Sequence, residues 1–334
     1  MKVKEIEKTL KLLFRKYFFE APDSIKRITG GVSGRLIYKI KSKNYTCIGV
    51  HNAKLPENRA FIEFSKSFGK SGLPVPQIYC VSDNPEYYLE EFLGEKSLFE
   101  LTANNILKGG EKYKMYRQAL KDLIRFQLTG KDIINYRLCY ETRSFDKEQI
   151  YFDFDKFNNF FLRKFAHHKF TEKDLSEIKK KIFRKLTEEK NDFFMYRDFQ
   201  PRNIMYDDGK LSYIDYQSGR KGPLHYDLAS FLYSGSIHID MLRRKVLLNY
   251  YLSEIGKYKK IDSGKFRKSF YNFALIRLIQ VLGSYGYLYE KNKDRTALKK
   301  INKAQKYLKS IIPFLDDKDI RRFAESISRI PIHT

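Results

Sequence analysis

Three oxygen-bearing side chains within one short stretch carry the first chemical signal. In MYRDFQPRNIMYDDGKLSYIDYQ, residues 195–217, Asp198 and Asn203 stand five apart with Pro201 between them. Asp215 follows an apolar run that ends at Ile214. The Asp208-Gly209 pair predicts a tight hairpin turn, so the flanking strands pair and bring Asn203 close to Asp215. Magnesium takes hard oxygen ligands from carboxylates and amides, which Asp215 and Asn203 supply. Asp198 can accept a hydrogen bond from an attacking hydroxyl and orient it. An aligned hydroxyl and neutralised phosphates are what phosphoryl transfer needs. A lone D-x-x-x-x-N is common, and an ordinary hairpin with Asx caps would satisfy it. Its placement between paired strands, with an Asp closing the second, favours the catalytic reading.

The elements around this island predict an α+β chain of two lobes. Residues 3–18 read as an amphipathic helix. From Ser24 to Asn52 the chain reads strand, Gly-rich turn, strand, short turn at Lys43-Asn44, strand. Ala60, Phe61, Phe64 and Phe68 give residues 56–69 a helical period. Two further strands follow at 78–82 and 87–93, joined by a turn at Asp83-Asn84-Pro85. Beyond Gly94 the pattern turns helical near 97–107, 111–129, 146–166 and 171–189. It is interrupted by the island and is helical again from Pro223. The expectation is a small lobe over residues 1–95, with a five-stranded antiparallel sheet, and a larger, mostly helical lobe over 96–334.

Composition narrows the partners. At 334 residues, 42% hydrophobic and 16% aromatic, the chain can bury a large core. Cys47, Cys80 and Cys139 are far apart and the six histidines are scattered, so neither a zinc site nor a disulfide framework is expected. The net charge of +25 suits an anionic partner, but it is spread along the whole chain as a lysine-rich bias would spread it. No RRM, KH, zinc-finger or Arg-rich motif accompanies it, so nucleic acid is not the expected partner. The first residues lack a signal peptide's unbroken apolar stretch. No run reaches the ~18 apolar residues of a spanning helix. These two features lead to the expectation of a cytoplasmic protein with no membrane partner.

The D-x-x-x-x-N spacing followed by a metal-binding Asp is that of the kinase signature set. YRDFQPRNIM and YIDYQSGRKGPLHYDLAS resemble the catalytic motif of the aminoglycoside phosphotransferase and choline kinase superfamily. Tyr196 stands where that family usually has His. The resemblance implies a two-lobed protein-kinase-like fold, ATP and Mg2+ as cofactors, Asp198 as catalytic Asp, and Asn203 and Asp215 as metal ligands. Asp227 then buttresses the catalytic loop, a helix N-cap being its other structural role. IDYQSGRKGPLHYDLASFLY, the acidic-aromatic segment 145–165 and LIRLIQVLGSYGYLYE (275–290) are similar to bacterial anomeric sugar kinases of cell-wall recycling. Those enzymes phosphorylate N-acetylmuramate and N-acetylglucosamine at the anomeric hydroxyl. This likeness runs from about residue 24 to 312 and implies a nucleotidyltransferase that takes the product onward.

On the nucleotide side, Gly30, Gly31, Ser33 and Gly34 form a turn that can approach phosphates and offer backbone N–H groups. In the fold that the resemblance implies, the linker backbone from Glu91 to Leu93 would hydrogen-bond the adenine. One departure stands out: the third strand, YTCIGVHN, lacks the Lys that kinases use to hold phosphates. Glu57 could open the next helix as that lysine's usual partner. Arg35, Lys39 and Lys54 are alternative cations, and sequence does not choose among them. For the acceptor, Lys and Arg outnumber Asp and Glu by 22 to nine from Leu228 onward, which argues against a polycationic aminoglycoside or choline. Arg202 and Arg220, near the island, could meet a sugar carboxylate or the transferred phosphate. Asp153 shares a helix face with Asp146 that could bind sugar hydroxyls, while Asp155 points elsewhere. The expected function is therefore a sugar 1-kinase. The alternatives are another small-molecule kinase of the superfamily, for example for aminoglycosides, and a non-enzymatic kinase-like binding protein.

Overall fold

The structure is a computed structural model that describes residues 3–28, 34–166, 170–237 and 239–332. Helix α1 (Val3–Phe18) sets Ile6, Leu10 and Phe14 on one face, four residues apart. That stripe packs on Tyr38, Ile40, Cys47, Tyr87 and Leu89 of a five-stranded sheet. The strands are β1 (Ser24–Ile28), β2 (Leu36–Lys41), β3 (Thr46–His51), β4 (Ile78–Val81) and β5 (Tyr87–Glu91). Their spatial order is β1-β2-β3-β5-β4, and every neighbouring pair is antiparallel. Strand alternation sends Ile48, Val50 and Tyr88 to the opposite face. There they join Phe61, Phe64 and Phe68 of α2 (Leu55–Lys70) in the main core. The five strands, and the helix placed after the third, are as the sequence predicts.

The chain leaves this sheet through Gly94, whose φ is +102°. A Cβ there would come within 3.0 Å of the Tyr206 carbonyl oxygen, so only glycine lets the linker lie on the island's hairpin. Strand β6 (Lys96–Ser97) follows, then α3 (Leu98–Ala103), started by a capping box between Ser97 and Glu100. Next come α4 (Gly109–Ile133) and α5 (Lys147–Phe157). A π-helical turn, Asn158–Leu162, carries α5 into α6 (Arg163–Phe165), and α7 is Glu172–Thr187.

The island holds β7 (Phe193–Met195), β8 (Ile204–Asp207), β9 (Lys210–Tyr213) and β10 (Arg220–Gly222). Strands β6, β8 and β9 form one sheet, and β7 pairs with β10. Helices α8 (Leu224–Leu232), α9 (Met241–Ile255), α10 (Ser263–Asn292), α11 (Thr296–Ile311) and α12 (Lys318–Ser328) complete the larger, helical part. The 30-residue α10 runs against α5, α8 and α11. Gly283 lies where a Cβ would meet the Phe157 backbone nitrogen at 2.7 Å, so α10 and α5 touch backbone to backbone. Among the described residues no helix is long and apolar enough to cross a membrane.

Candidate active site

The loop after β7 is held from below by a buried carboxylate. Arg197 adopts φ +80°, a left-handed conformation that a side-chain-bearing residue keeps only when its surroundings enforce it. Asp227 enforces it: its carboxylate accepts the Tyr196 N–H at 2.7 Å and the Arg197 N–H at 2.9 Å. Burial pushes the Asp227 carboxyl up to about 7, against the pull of those two N–H groups. Helix α8 begins before Asp227, with Pro223 at its N-cap, so Asp227 acts as a buttress and not as a cap. Tyr196 donates its hydroxyl to the Ile214 carbonyl at 2.6 Å, which ties the loop to the segment carrying Asp215.

The hairpin then assembles the trio. Asp208 and Gly209 both have positive φ, the type I′ geometry that the Asp-Gly pair predicts. The Ile214 N–H donates to the Asn203 carbonyl at 3.1 Å. The Asn203 side-chain amide donates to the Asp198 carbonyl oxygen at 2.9 Å and to Asp215 Oδ2 at 3.2 Å. Both bonds use Nδ2, which assigns the amide's oxygen as its remaining ligand atom. The Asp198 carboxylate accepts from Gln200 Nε2 at 3.3 Å and from Arg277 Nη2 of α10 at 3.1 Å. Its side chain keeps 32% of its surface exposed. Burial alone would raise the Asp198 carboxyl, but the charges of Arg277, Arg202 and Arg197 outweigh it and hold the group below the ordinary carboxylate range.

The residues fit a divalent cation. Asn203 and Asp215, joined through the Asn203 Nδ2, offer one amide oxygen and one carboxylate, the hard donors such an ion takes. Asp215 already draws a cation: Arg35 Nη2 lies 2.5 Å from its Oδ1. Arg35 Nε also faces Glu57 Oε1 of α2 at 3.3 Å. Gln217 Nε2 joins the group, at 2.9 Å from Asp215 Oδ1 and 3.5 Å from Glu57. Burial would lower the Arg35 guanidinium, but Asp215, Tyr88 and Glu57 outweigh it and hold it more firmly protonated. The next residue along, Tyr216, stacks on Phe61 and shares a 2.5 Å hydroxyl bond with Ser65, so α2 and the Asp215 loop pack as one unit.

The other nucleotide-side expectations land variously. Gly30, Gly31 and Ser33 lie outside the described residues, and Gly34 has open space where a Cβ would stand. Glu91 ends β5, and its N–H is taken by the Gln77 carbonyl at 2.9 Å, so that group is not available to a base. Leu93 follows in the half-buried linker. Lys39 pairs with Glu95 and sits 4.2 Å over the Phe92 ring, at the linker end of the sheet, while Lys54 is exposed.

Two acceptor-side expectations are corrected. Asp153 does not face a sugar: it is 2% exposed and forms a two-pronged ion pair with Arg197, at 3.0 and 3.1 Å. Asp146 caps the start of α5, and Asp155 pairs with Lys179. The helical spacing of Asp146 and Asp153 does not apply, because Asp146 is the extended N-cap residue, and spacing cannot show that a buried Arg arrives at Asp153. Arg220 is also removed from any acceptor. Its side chain is 1% exposed and committed to Glu141, Gln149, Thr142 and the Ser218 carbonyl. Arg202 is exposed, and its charge acts on Asp198. Sequence gave no role to Arg277 and Gln280, although both stand in the R-x-x-Q-V-L-G run. Arg277 bridges Asp198 and, at 2.6 Å, Gln280.

A family model described as Phosphotransferase enzyme family matches residues 24–261. A sequence search of curated proteins finds no match. Among solved structures, amicoumacin kinase hAmiN in complex with AMP-PNP, Ca2+ and Ami superimposes with a TM-score of 0.65 at 10% identity, over 95% of this chain and 99% of that one. Choline kinase LicA from Streptococcus pneumoniae gives 0.61 at 14% identity, over 92% and 99%. Plasmodium vivax ethanolamine kinase gives 0.57 at 15%, over 85% and 81%. At these identities the likeness is one of fold, and the fold is the two-lobed protein-kinase-like one.

Proposed function

The chain belongs to the phosphotransferase enzyme family, and from that premise we propose that it is an ATP- and Mg2+-dependent kinase for the anomeric hydroxyl of an amino sugar. Residues 1–95 bind the nucleotide, with the Gly30–Gly34 turn over the phosphates and the linker backbone near Leu93 at the base. Residues 96–334 carry catalysis and the acceptor. Asn203 and Asp215 hold the metal, which neutralises phosphate charge when bound. Asp198 accepts the hydrogen bond of the attacking hydroxyl and aligns it with the γ-phosphoryl group. Asp227 and the Asp153–Arg197 pair keep its loop in place.

The observation that carries the sugar reading is the Arg277–Asp198 contact. A carboxylate held below its ordinary range is a weak base. Such a group orients the attacking hydroxyl more than it takes its proton, which is compatible with the anomeric hydroxyl, the most acidic one a sugar has. Arg197 is paired with Asp153 and Arg277 with Asp198, so it is the exposed Arg202 that disfavours a cationic acceptor beside Asp198 and suits a neutral or anionic one. N-acetylglucosamine is neutral and N-acetylmuramate carries a carboxylate, so both suit such a site. A cytoplasmic role in cell-wall recycling belongs to this reading, as does a sugar-1-phosphate nucleotidyltransferase that consumes the product. A second reading, an aminoglycoside or amino-alcohol acceptor, is favoured by the fold shared with amicoumacin and choline kinases.

A panel assay separates the two. Purified protein with Mg-ATP is given N-acetylmuramate, N-acetylglucosamine, other hexoses, an aminoglycoside, choline or no acceptor, and ADP release and product mass are followed. Phosphate on an amino sugar that is lost in mild acid, as anomeric phosphates are, is the expected result. Turnover only on a cationic acceptor would replace the sugar reading with the second. ADP release with no acceptor, or none at all, would remove both.

A further inference from the structure

Strand β3 brings no cation to the cleft, yet a polyphosphate between the lobes needs one fixed to the sheet. On the face of β3 that packs against α2, Ile48 and Val50 are apolar and buried. From the nucleotide reading above, on which the inference rests, we infer that Arg35 is the phosphate-holding cation of this chain, moved from β3 to the start of β2.

Three observations converge on it. Arg35 immediately precedes β2, at the end of the sheet where Ile37 pairs with Val50, and its contact with Glu57 of α2 puts its side chain on the Val50 face. Its guanidinium already holds Glu57 of α2, the partner a β3 lysine would take, and reaches Asp215. In sequence it also directly follows GGVSG, residues 30–34. The other two candidates fail on placement: Lys39 is drawn to Glu95 at the linker, and Lys54 is exposed.

The choice of Arg over Lys follows from the geometry. A guanidinium carries five N–H donors in a planar fork, so one side chain can keep Glu57 through Nε while its Nη edge serves a second anion. In this structure that second anion is Asp215. Were Asp215 to hold a metal, the Nη edge would donate to phosphate oxygens instead. An ammonium on β2 would have to share three donors on one nitrogen between Glu57 and the nucleotide.

The test is nucleotide binding by titration calorimetry, with Mg2+ present, for the wild type, Arg35→Ala and Arg35→Lys, using AMP-PNP and adenosine as separate probes. Arg35→Ala is expected to weaken AMP-PNP by ~10–100-fold, as loss of a charge-assisted hydrogen bond does. Adenosine affinity stays unchanged, which also shows that the variant is folded. Arg35→Lys falls between. Equal weakening of both probes would make Arg35 merely structural, and unchanged AMP-PNP affinity in Arg35→Ala would assign the phosphates to another group. Either result overturns the inference while leaving the kinase reading intact. A wild type that binds neither probe would instead remove the kinase reading, and the inference with it.

Discussion

Asp153→Ala distinguishes a strut from a substrate ligand. The Asp153 carboxylate and the Arg197 guanidinium are 2% and 8% exposed, and they meet through two bonds of 3.0 and 3.1 Å. Removing one member of such a pair leaves a buried charge without compensation, at a cost of ~3–5 kcal/mol. The lower end applies here, because Arg197 also lies 3.4 Å from the Tyr226 hydroxyl and over that ring, which partly solvates the orphaned guanidinium. We therefore expect Asp153→Ala to lose ~3 kcal/mol in urea unfolding. The chain has no Trp, so far-UV dichroism or the 25 tyrosines serve as the signal. Turnover should fall as well, because Arg197 precedes Asp198 and its left-handed backbone is part of the loop. The double variant Asp153→Leu with Arg197→Met should recover most of the stability, since no unpaired charge remains. A loss below ~1 kcal/mol together with a raised KM for the acceptor alone would refute the strut and return Asp153 to the substrate.

Two further outcomes follow from the charges around the cleft. Arg277→Met removes the largest of the cations holding Asp198 down, so the acid limb of the kcat/KM profile should move to higher pH; a limb that does not move would separate Asp198 from that profile. Burial pushes the Glu90 carboxyl up to about 8 in the folded chain, with Arg35 opposing. The folded state then holds a proton that the unfolded state has released, so stability falls as pH rises from near 4.5 to about 8, by at most ~1.4 kcal/mol per pH unit. Glu90→Gln should flatten that slope, and an unchanged slope would assign it to another group.

How much of this was legible in the sequence depended on how local the determinant was. The Asp208-Gly209 turn and the spacing of Asp198, Asn203 and Asp215 are local, and the folded hairpin brings the three together as their spacing predicts. The five strands were legible from alternation and turn residues. Burial was not. Periodicity gave the faces of Asp153, but the partner that claims it comes from β7's loop, 44 residues away. Arg220 looked available because it lies near the island, yet Gln149 and Glu141 close over it from a segment some 70 to 80 residues earlier. Arg35 stood among three alternative cations, and its contacts with Glu57 and Asp215, distant in sequence, could not be read from the chain. Arg277 also stood in a motif, but only the packing of α10 behind the loop shows what it touches.

The most direct test compares wild type and Asp198→Ala for γ-phosphoryl transfer from Mg-ATP to N-acetylmuramate and N-acetylglucosamine, with AMP-PNP affinity measured on the same preparations. We expect transfer to fall by ~10²–10⁴-fold in the variant, as removal of a positioned acid–base group does, while AMP-PNP binds as before. An Asp198→Ala protein that keeps most of its turnover would contradict the assignment of Asp198, and with it the reading of this loop as the catalytic centre.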